Sequence, residues 1–338
     1  MSPENNGQTI QQEDLAIEKQ TFTVSASPHV RCNETIPKIM WNVNAALAPA
    51  ALYSVFHFGI GALINMVVGI ISCMVFEYAW EKFLHKKNTA FDGSACLTGL
   101  LLAMTVSPLV PAYMIVVGAF FAIIIAKQSM GGLGYNIFNP AHVGRAALMV
   151  SWPVAMTTWS PLTTTVDVVS GATPLNILKM QGYDQLIATF GSQSNLYSAM
   201  FLGTRNGSMG ETSALLLILG GLYLIYKGYI SWQVPICMIA TVGIVTFLCG
   251  QDPIFHMLAG GLIIGAFFMA TDMVTAPITL KGQIIFAVGA GLITVLIRLK
   301  GGYPEGVCYS ILLMNAVTPL IDRLVKPEIF GSKVKGAK

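Results

Sequence analysis

Thr98-Gly-Leu-Leu-Leu-Ala-Met-Thr-Val-Ser-Pro108, an apolar span, and then Gly131-Gly-Leu-Gly-Tyr-Asn-Ile-Phe-Asn-Pro140 have a counterpart further along the chain. There Gly260-Gly-Leu-Ile-Ile-Gly-Ala-Phe-Phe-Met-Ala270 runs on through Thr275-Ala-Pro277, and a second apolar span leads to Gly301-Gly-Tyr-Pro-Glu-Gly306. Pro108 and Pro277 lie 169 positions apart, and the double glycines at 131 and 301 lie 170 apart. Five apolar segments per half is an odd number, so the second copy must cross a membrane upside down. The expected fold is an all-α integral membrane protein of about ten helices or half-helices in two inverted five-helix repeats, with broken helices meeting near the midplane. The plainer alternative is that Gly-Gly and Ser-Pro or Ala-Pro pairs are ordinary punctuation of membrane helices.

Composition supports the membrane reading. Of 338 residues, 54% are hydrophobic and only 10% charged, against about 25% charged in soluble domains, and mean hydropathy is +0.66. Backbone polar groups inside a bilayer must be satisfied internally, which makes helices the default for runs approaching ~20 apolar residues. The net charge of +3 comes without a basic stripe interleaved with aromatics, so a nucleic-acid partner is not expected. Six cysteines are scattered with no Cys-x-x-Cys pair and no histidines at ligand spacing. No metal site made by this chain alone is expected, and the cysteines read as packing thiols, with a ligand role shared across subunits left open.

The predicted helices span about 40–57, 59–80, 93–107, 110–127, 141–156, 212–229, 232–250, 255–271, 282–298 and 304–323. Residues 1–38 form a polar leader without the pattern of a signal peptide; 39–156 and 212–323 are the two membrane repeats, 157–211 a polar loop and 324–338 a basic tail. With the N-terminus in the cytoplasm, fifteen of the nineteen Lys and Arg residues fall at cytoplasmic ends, Lys127 and Arg145 among them, and only Lys179, Arg205, Arg298 and Lys300 fall outside. That bias places 157–211 on the extracytoplasmic side of a multi-pass cytoplasmic-membrane protein.

Asp92, Asp272 and Arg145 lie beside the glycine-rich breaks, where an ionisable group suggests function, though each can equally sit at the interface. Asp272, before the break at Thr275-Ala-Pro277, is the candidate for ion coupling; the alternative is an ordinary helix cap. Glu77 and Glu81 are expected to be interfacial and paired with Lys82 or Lys86. His57 and His142 read as hydrogen-bonded helix-end residues, and Phe267-Phe268-Met269 as a lipid or packing face. Trp41, Trp80, Trp152, Trp159 and Trp232 sit near segment ends, as membrane-interface aromatics do.

Within the polar loop, Asp167-Val-Val-Ser170-Gly171-Ala172-Thr173-Pro174 puts hydroxyls on what should be an exposed turn, reachable by an enzyme. It resembles the flavinylation motif of membrane redox subunits, in which the last hydroxyl is esterified to FMN. By that resemblance Thr173 is the acceptor, Asp167, Ser170, Gly171 and Ala172 are the rest of the motif, and Trp152 and Trp159 are near enough in sequence to stack on a ring.

Further stretches carry a wider resemblance: Ser27-Pro-His-Val-Arg31, Phe91-Asp-Gly-Ser-Ala95, Gly131 through Pro140 to Arg145, Gly210-Glu-Thr-Ser-Ala214, Phe267-Phe-Met-Ala-Thr-Asp272, Gly301-Gly-Tyr-Pro-Glu-Gly306 and Thr318-Pro-Leu-Ile-Asp322. Together they are similar to the D subunits of Rnf electron-transport complexes, homologous to the B subunits of Na+-translocating NADH:quinone reductases. The short leader favours the Rnf branch. The resemblance implies a subunit of an enzyme that couples electron transfer between ferredoxin and NAD to Na+ or H+ movement. It further implies a covalent FMN on Thr173, a noncovalent riboflavin, other Rnf-type subunits, membrane lipid and a flavin transferase as partners, and no catalytic side chain of its own. A channel or transporter for a small polar solute, or an anchor that only organises partner subunits, would fit the same repeat.

Overall fold

The computed structural model describes residues 34–85, 88–159 and 173–326, and they are helical without a strand. In chain order the helices are α1 Ile36–Phe58, α2 Ile60–Phe83, α3 Ser94–Met104, α4 Ala112–Phe120 with a π-helical continuation Phe121–Gln128, α5 Pro140–Ser151, α6 Pro153–Thr157, α7 Pro174–Gln181, α8 Tyr183–Phe190 and α9 Gln193–Leu202. A 3-10 turn, Met209–Glu211, leads to α10 Ala214–Tyr226, α11 Gln233–Leu248, α12 Pro253–Leu258, α13 Leu262–Ile264 with a π-helical continuation Gly265–Met269, α14 Leu280–Lys300 and α15 Val307–Leu324.

Four of these, α1, α2, α14 and α15, are long and apolar enough to cross a membrane. At about 1.5 Å per residue the 24 residues of α2 reach about 36 Å, beyond the ~30 Å of a hydrocarbon core. The other strongly apolar helices, α3, α4 with its continuation, α10 and α11, are shorter. The expected segment 255–271 is in three pieces, because Gly260 takes φ +66° and the chain leaves the helix over Ala259–Gly261.

At several of the places where a helix stops inside the bundle, a side chain from another element donates to a backbone carbonyl. Asn65 of α2 donates to Pro108 and Val110 (3.2 and 3.1 Å), Asn139 to Met269 (3.2 Å) and Thr318 to Thr275 (3.0 Å). Arg298 donates to His256 and Ala259 (2.6 and 2.8 Å), and Arg205 to Leu258 (3.2 Å). A break in a membrane helix is tolerated on that condition.

Two expectations are corrected here. Residues 174–202 are three short helices, not a polar loop. Thr173 and Ser192 cap α7 and α9 by accepting the Asn176 and Asn195 amides, and Leu175, Ile177, Leu186, Leu196 and Met200 build a small second core with Phe255 and Ala259. Lys127 and Arg145, counted above among the cytoplasmic charges, are buried in ion pairs with Glu77 and Glu305. Arg205 and Arg298 are buried as well, so leaving out all four changes fifteen against four to thirteen against two.

A close backbone approach joins α2 and α3. A Cβ added at Gly69 would stand 2.8 Å from the Gly99 carbonyl oxygen, and one at Gly99 would run into the carbonyl of Gly69. Small residues at such crossings let membrane helices touch along their backbones. Gly99→Val is therefore expected to destabilise by about 1–3 kcal/mol or more, read as a lower thermal midpoint in detergent. Gly302→Ala, with nothing within 4 Å, should leave that midpoint unchanged.

Candidate functional site

Thr173 is buried, not displayed on an exposed turn as the sequence suggested: it is 1% exposed. Its Oγ1 accepts the Asn176 amide at 3.2 Å, Pro174 takes the first position of α7, and Leu175 packs against Gly260. Asp167, Ser170, Gly171 and Ala172 lie outside the described residues. One turn beyond Thr173, Asn176 opens onto a cavity of about 330 Å³ lined also by Trp159, Arg145, Met149, Tyr303 and Glu305, at the lower end of the ~300–1,000 Å³ of small-molecule sites. Trp159 thus reaches the cavity, whereas Trp152 meets Tyr113 edge-on at 6.3 Å.

Charged side chains stand at the wall of this cavity. Arg145 of α5 donates to Glu305 Oε2, and Arg205 and Arg298 lie buried nearby, holding the carbonyls at the α12 break. Glu211 is buried among them, its Oε1 accepting Ser208 Oγ at 2.9 Å. Of the three guanidinium groups Arg145 lines the cavity, beside its partner Glu305, and the dipole at the start of α7 favours negative charge nearby. Sequence spacing could not show this cluster, because its members come from four separate parts of the chain.

A second cavity, of about 90 Å³, opens between the two halves of the chain. Its walls are mostly apolar, Leu101, Phe267 and Phe268 among them, with Lys127, Asn136, Asn139, Thr271 and Asp272 among the polar groups. A planar, largely apolar ligand with a few hydrogen-bonding edges suits that lining. Lys127, on the π-helical part of α4, donates to both oxygens of Glu77 and to Ser94 Oγ, all at 2.7 Å. The expected pairing of Glu77 with Lys82 or Lys86 is thereby corrected: Glu77 points inward, and Lys82 lies over the Tyr78 ring at 5.9 Å. Glu81 accepts the Thr89 amide (2.8 Å) and hydroxyl.

Asp272 lines this second cavity, and its oxygens accept the Val274 amide and the Thr275 hydroxyl (3.2 and 3.3 Å). Asp92 caps the approach to α3 through Ser94 (2.7 and 2.6 Å). The ring nitrogens of His142, expected to be hydrogen-bonded, are buried without a partner among the described residues, while His57 stacks on Tyr53 at 5.9 Å. Phe267 and Phe268 are packing residues, closing on Gly221 and Gly220 of α10.

A family model described as "NQR2, RnfD, RnfE family" matches residues 23–331. The chain is 66% identical over 328 residues to the D subunit of the proton-translocating ferredoxin:NAD(+) oxidoreductase complex of Clostridium ljungdahlii, covering 95% of this chain and 99% of that one. It is 48% identical over 317 residues to the D subunit of the Na(+)-translocating ferredoxin:NAD(+) oxidoreductase complex of Acetobacterium woodii, covering 93% and 97%. With the D subunit of the ion-translocating oxidoreductase complex of Stutzerimonas stutzeri it shares 39% over 334 residues, 89% and 94% of the two chains.

The buried Lys127–Glu77 pair makes a prediction. Lys127→Met strands the Glu77 carboxylate and should cost about 3–5 kcal/mol, whereas pairing it with Glu77→Leu should restore most of the loss. Thermal midpoints of the two variants in detergent decide the matter; equal midpoints would mean that Glu77 does not depend on Lys127.

Proposed function

The chain belongs to the NQR2, RnfD, RnfE family, and from that premise we propose that it is the D subunit of an Rnf-type complex that couples electron transfer between ferredoxin and NAD+ to ion translocation. The observation that carries this reading is the 66% identity, over almost the full length of both chains, to a D subunit of that description. That relative is named for protons and the 48% identical one for Na+, so the transported ion is a matter for measurement.

The cofactor proposal is a covalent FMN on Thr173, within the Asp167–Thr173 motif of Ser170, Gly171 and Ala172, installed by a flavin transferase. Its support is the position of Thr173 at the start of α7, beside a cavity with an aromatic wall at Trp159 and a cationic one at Arg145. When bound, the flavin would supply the electron-carrying chemistry. Asn176 and the α7 amides would hold its phosphate, Arg145 would balance negative charge, and Trp159 would flank the ring. The second cavity is the proposed place for a noncovalent riboflavin, with Asn136, Asn139 and Thr271 offering hydrogen bonds and Phe267 and Phe268 offering apolar walls.

In the proposed arrangement, 39–156 and 212–323 are inverted repeats. Helix packing supports it: α4 lies against α5 as α14 lies against α15, and α2 lies against α4 as α11 lies against α14. The π-helical stretches, at 121–128 and 265–269, fall at non-equivalent places. The charge bias favours cytoplasmic termini and an extracytoplasmic 157–211 in the inner membrane, with the other Rnf-type subunits and lipid around the bundle.

Two variants test the reading in the assembled complex. Thr173→Ala should abolish flavin mass and fluorescence in the denatured chain and, by loss of the cap, cost about 0.5–2 kcal/mol, while Thr173→Ser keeps the flavin; FMN retained by the alanine variant overturns the assignment. Asp272 is the proposed ion-coupling carboxylate, placed at the second cavity beside an unwound turn. In vesicles Asp272→Asn should lower ion uptake per electron while electron transfer continues, and an unchanged ratio would remove Asp272 from the coupling.

A further inference from the structure

Glu211 and Glu305 lie in the connections outside the spanning helices, one in the 3-10 turn before α10 and the other between α14 and α15. Their polar partners account for half of their oxygens. Ser208 donates to Glu211 Oε1 at 2.9 Å, and Arg145 donates to Glu305 Oε2. Arg205 and Arg298, the other cations in the cluster, donate to the carbonyls of Glu211, Leu258, His256 and Ala259 instead. Glu211 Oε2 and Glu305 Oε1 are left buried with no donor among the described residues, while the two carboxyl groups stand within hydrogen-bonding reach of each other.

Two carboxylate oxygens facing one another in a buried site repel unless a proton lies between them. A single proton on Glu211 Oε2, donated to Glu305 Oε1, satisfies both orphaned atoms. We propose that Glu211 and Glu305 form a carboxyl pair that binds one exchangeable proton beside the Thr173 cavity, with an affinity that follows the charge carried in that cavity.

The surroundings decide which member carries the proton. Burial, and then the charge of Glu305, push Glu211 up to about 8, against the pull of Arg205. Burial also pushes Glu305 up, but Arg145, the bond from Glu211 and Arg298 together hold it below the usual carboxylate range. Arg145 of α5, Arg205 of the connection between α9 and the 3-10 turn, Arg298 of α14 and the Cys308 thiol of α15 are the titratable and charged groups around the pair. Glu305 also lines the cavity, so an electron placed there lies close to the pair. Negative charge arriving from a reduced centre of another protein in the complex raises the pair's proton affinity, and its departure lowers it. The proton is drawn from the medium and returned to it. This second half rests on the flavin at Thr173; the existence of the pair does not.

Infrared spectra of the purified complex in H2O and D2O test both halves. The wild type should show a D2O-sensitive carbonyl stretch from a protonated carboxyl that fades as pH rises through about 8. Glu211→Gln should remove it. Glu305→Gln, which takes away the neighbouring negative charge, should move its fading down by roughly one pH unit or more. Thr173→Ala should keep the band. A spectrum unchanged by Glu211→Gln overturns the pair. In oxidised-minus-reduced spectra the band should change in the wild type and stay constant in Thr173→Ala. Constancy in a flavin-loaded wild type overturns the linkage to charge, and a change that persists in Thr173→Ala overturns the role of Thr173 while leaving the pair standing.

Discussion

A helix that ends inside a membrane leaves carbonyls which neither water nor lipid can satisfy, and the architecture of this protein follows from that constraint. Several breaks are served by a donor from elsewhere in the chain: Asn65 at 108–110, Asn139 at 269, Thr318 at 275, and Arg205 with Arg298 at 256–259. These donors tie remote segments together. Asn139 and Met269, for example, belong to opposite halves of the chain, so a break in one half is completed by the other.

The same breaks decide where charge can be kept. Short helices leave room for cavities, and the side chains that reach in to serve the backbone are polar or charged. Lys127 stands at one cavity with Glu77, and three arginines stand near the other with Glu211 and Glu305. A buried ion pair is weak support for stability, since its desolvation offsets much of its attraction. Its value here is positional: it fixes cationic groups next to the two cavities.

The helical part of the fold was legible in the sequence because apolar run length and glycine-proline punctuation are local signals. All ten apolar segments correspond to helices or to helix fragments, and the breaks fall at the marked glycines and prolines. What escaped was set by distant partners. Glu77 reads as interfacial from its neighbours Glu81 and Lys82, yet its partner is 50 positions away. Arg145 and Glu305 are 160 apart, and nothing between them announces the contact. The helices at 174–202 do carry local signals, namely Thr173 before Pro174, Ser192 as a cap and Gly203 at the left-handed φ of +101°. Polar composition hides them, because their apolar residues face a small separate core.

The burial of Thr173 has a consequence for biogenesis. In the folded chain the hydroxyl is enclosed and its oxygen already engaged by the Asn176 amide, with Leu175 closed on Gly260 immediately behind it. On the proposed reading, a transferase has to act before that closure or during a local reopening of α7, which an eight-residue helix permits at modest cost. Modification and folding would then compete for one hydroxyl in time. Cells short of the transferase would accumulate a well-folded protein that can no longer be loaded readily, so the order of maturation steps would set the fraction of working complexes.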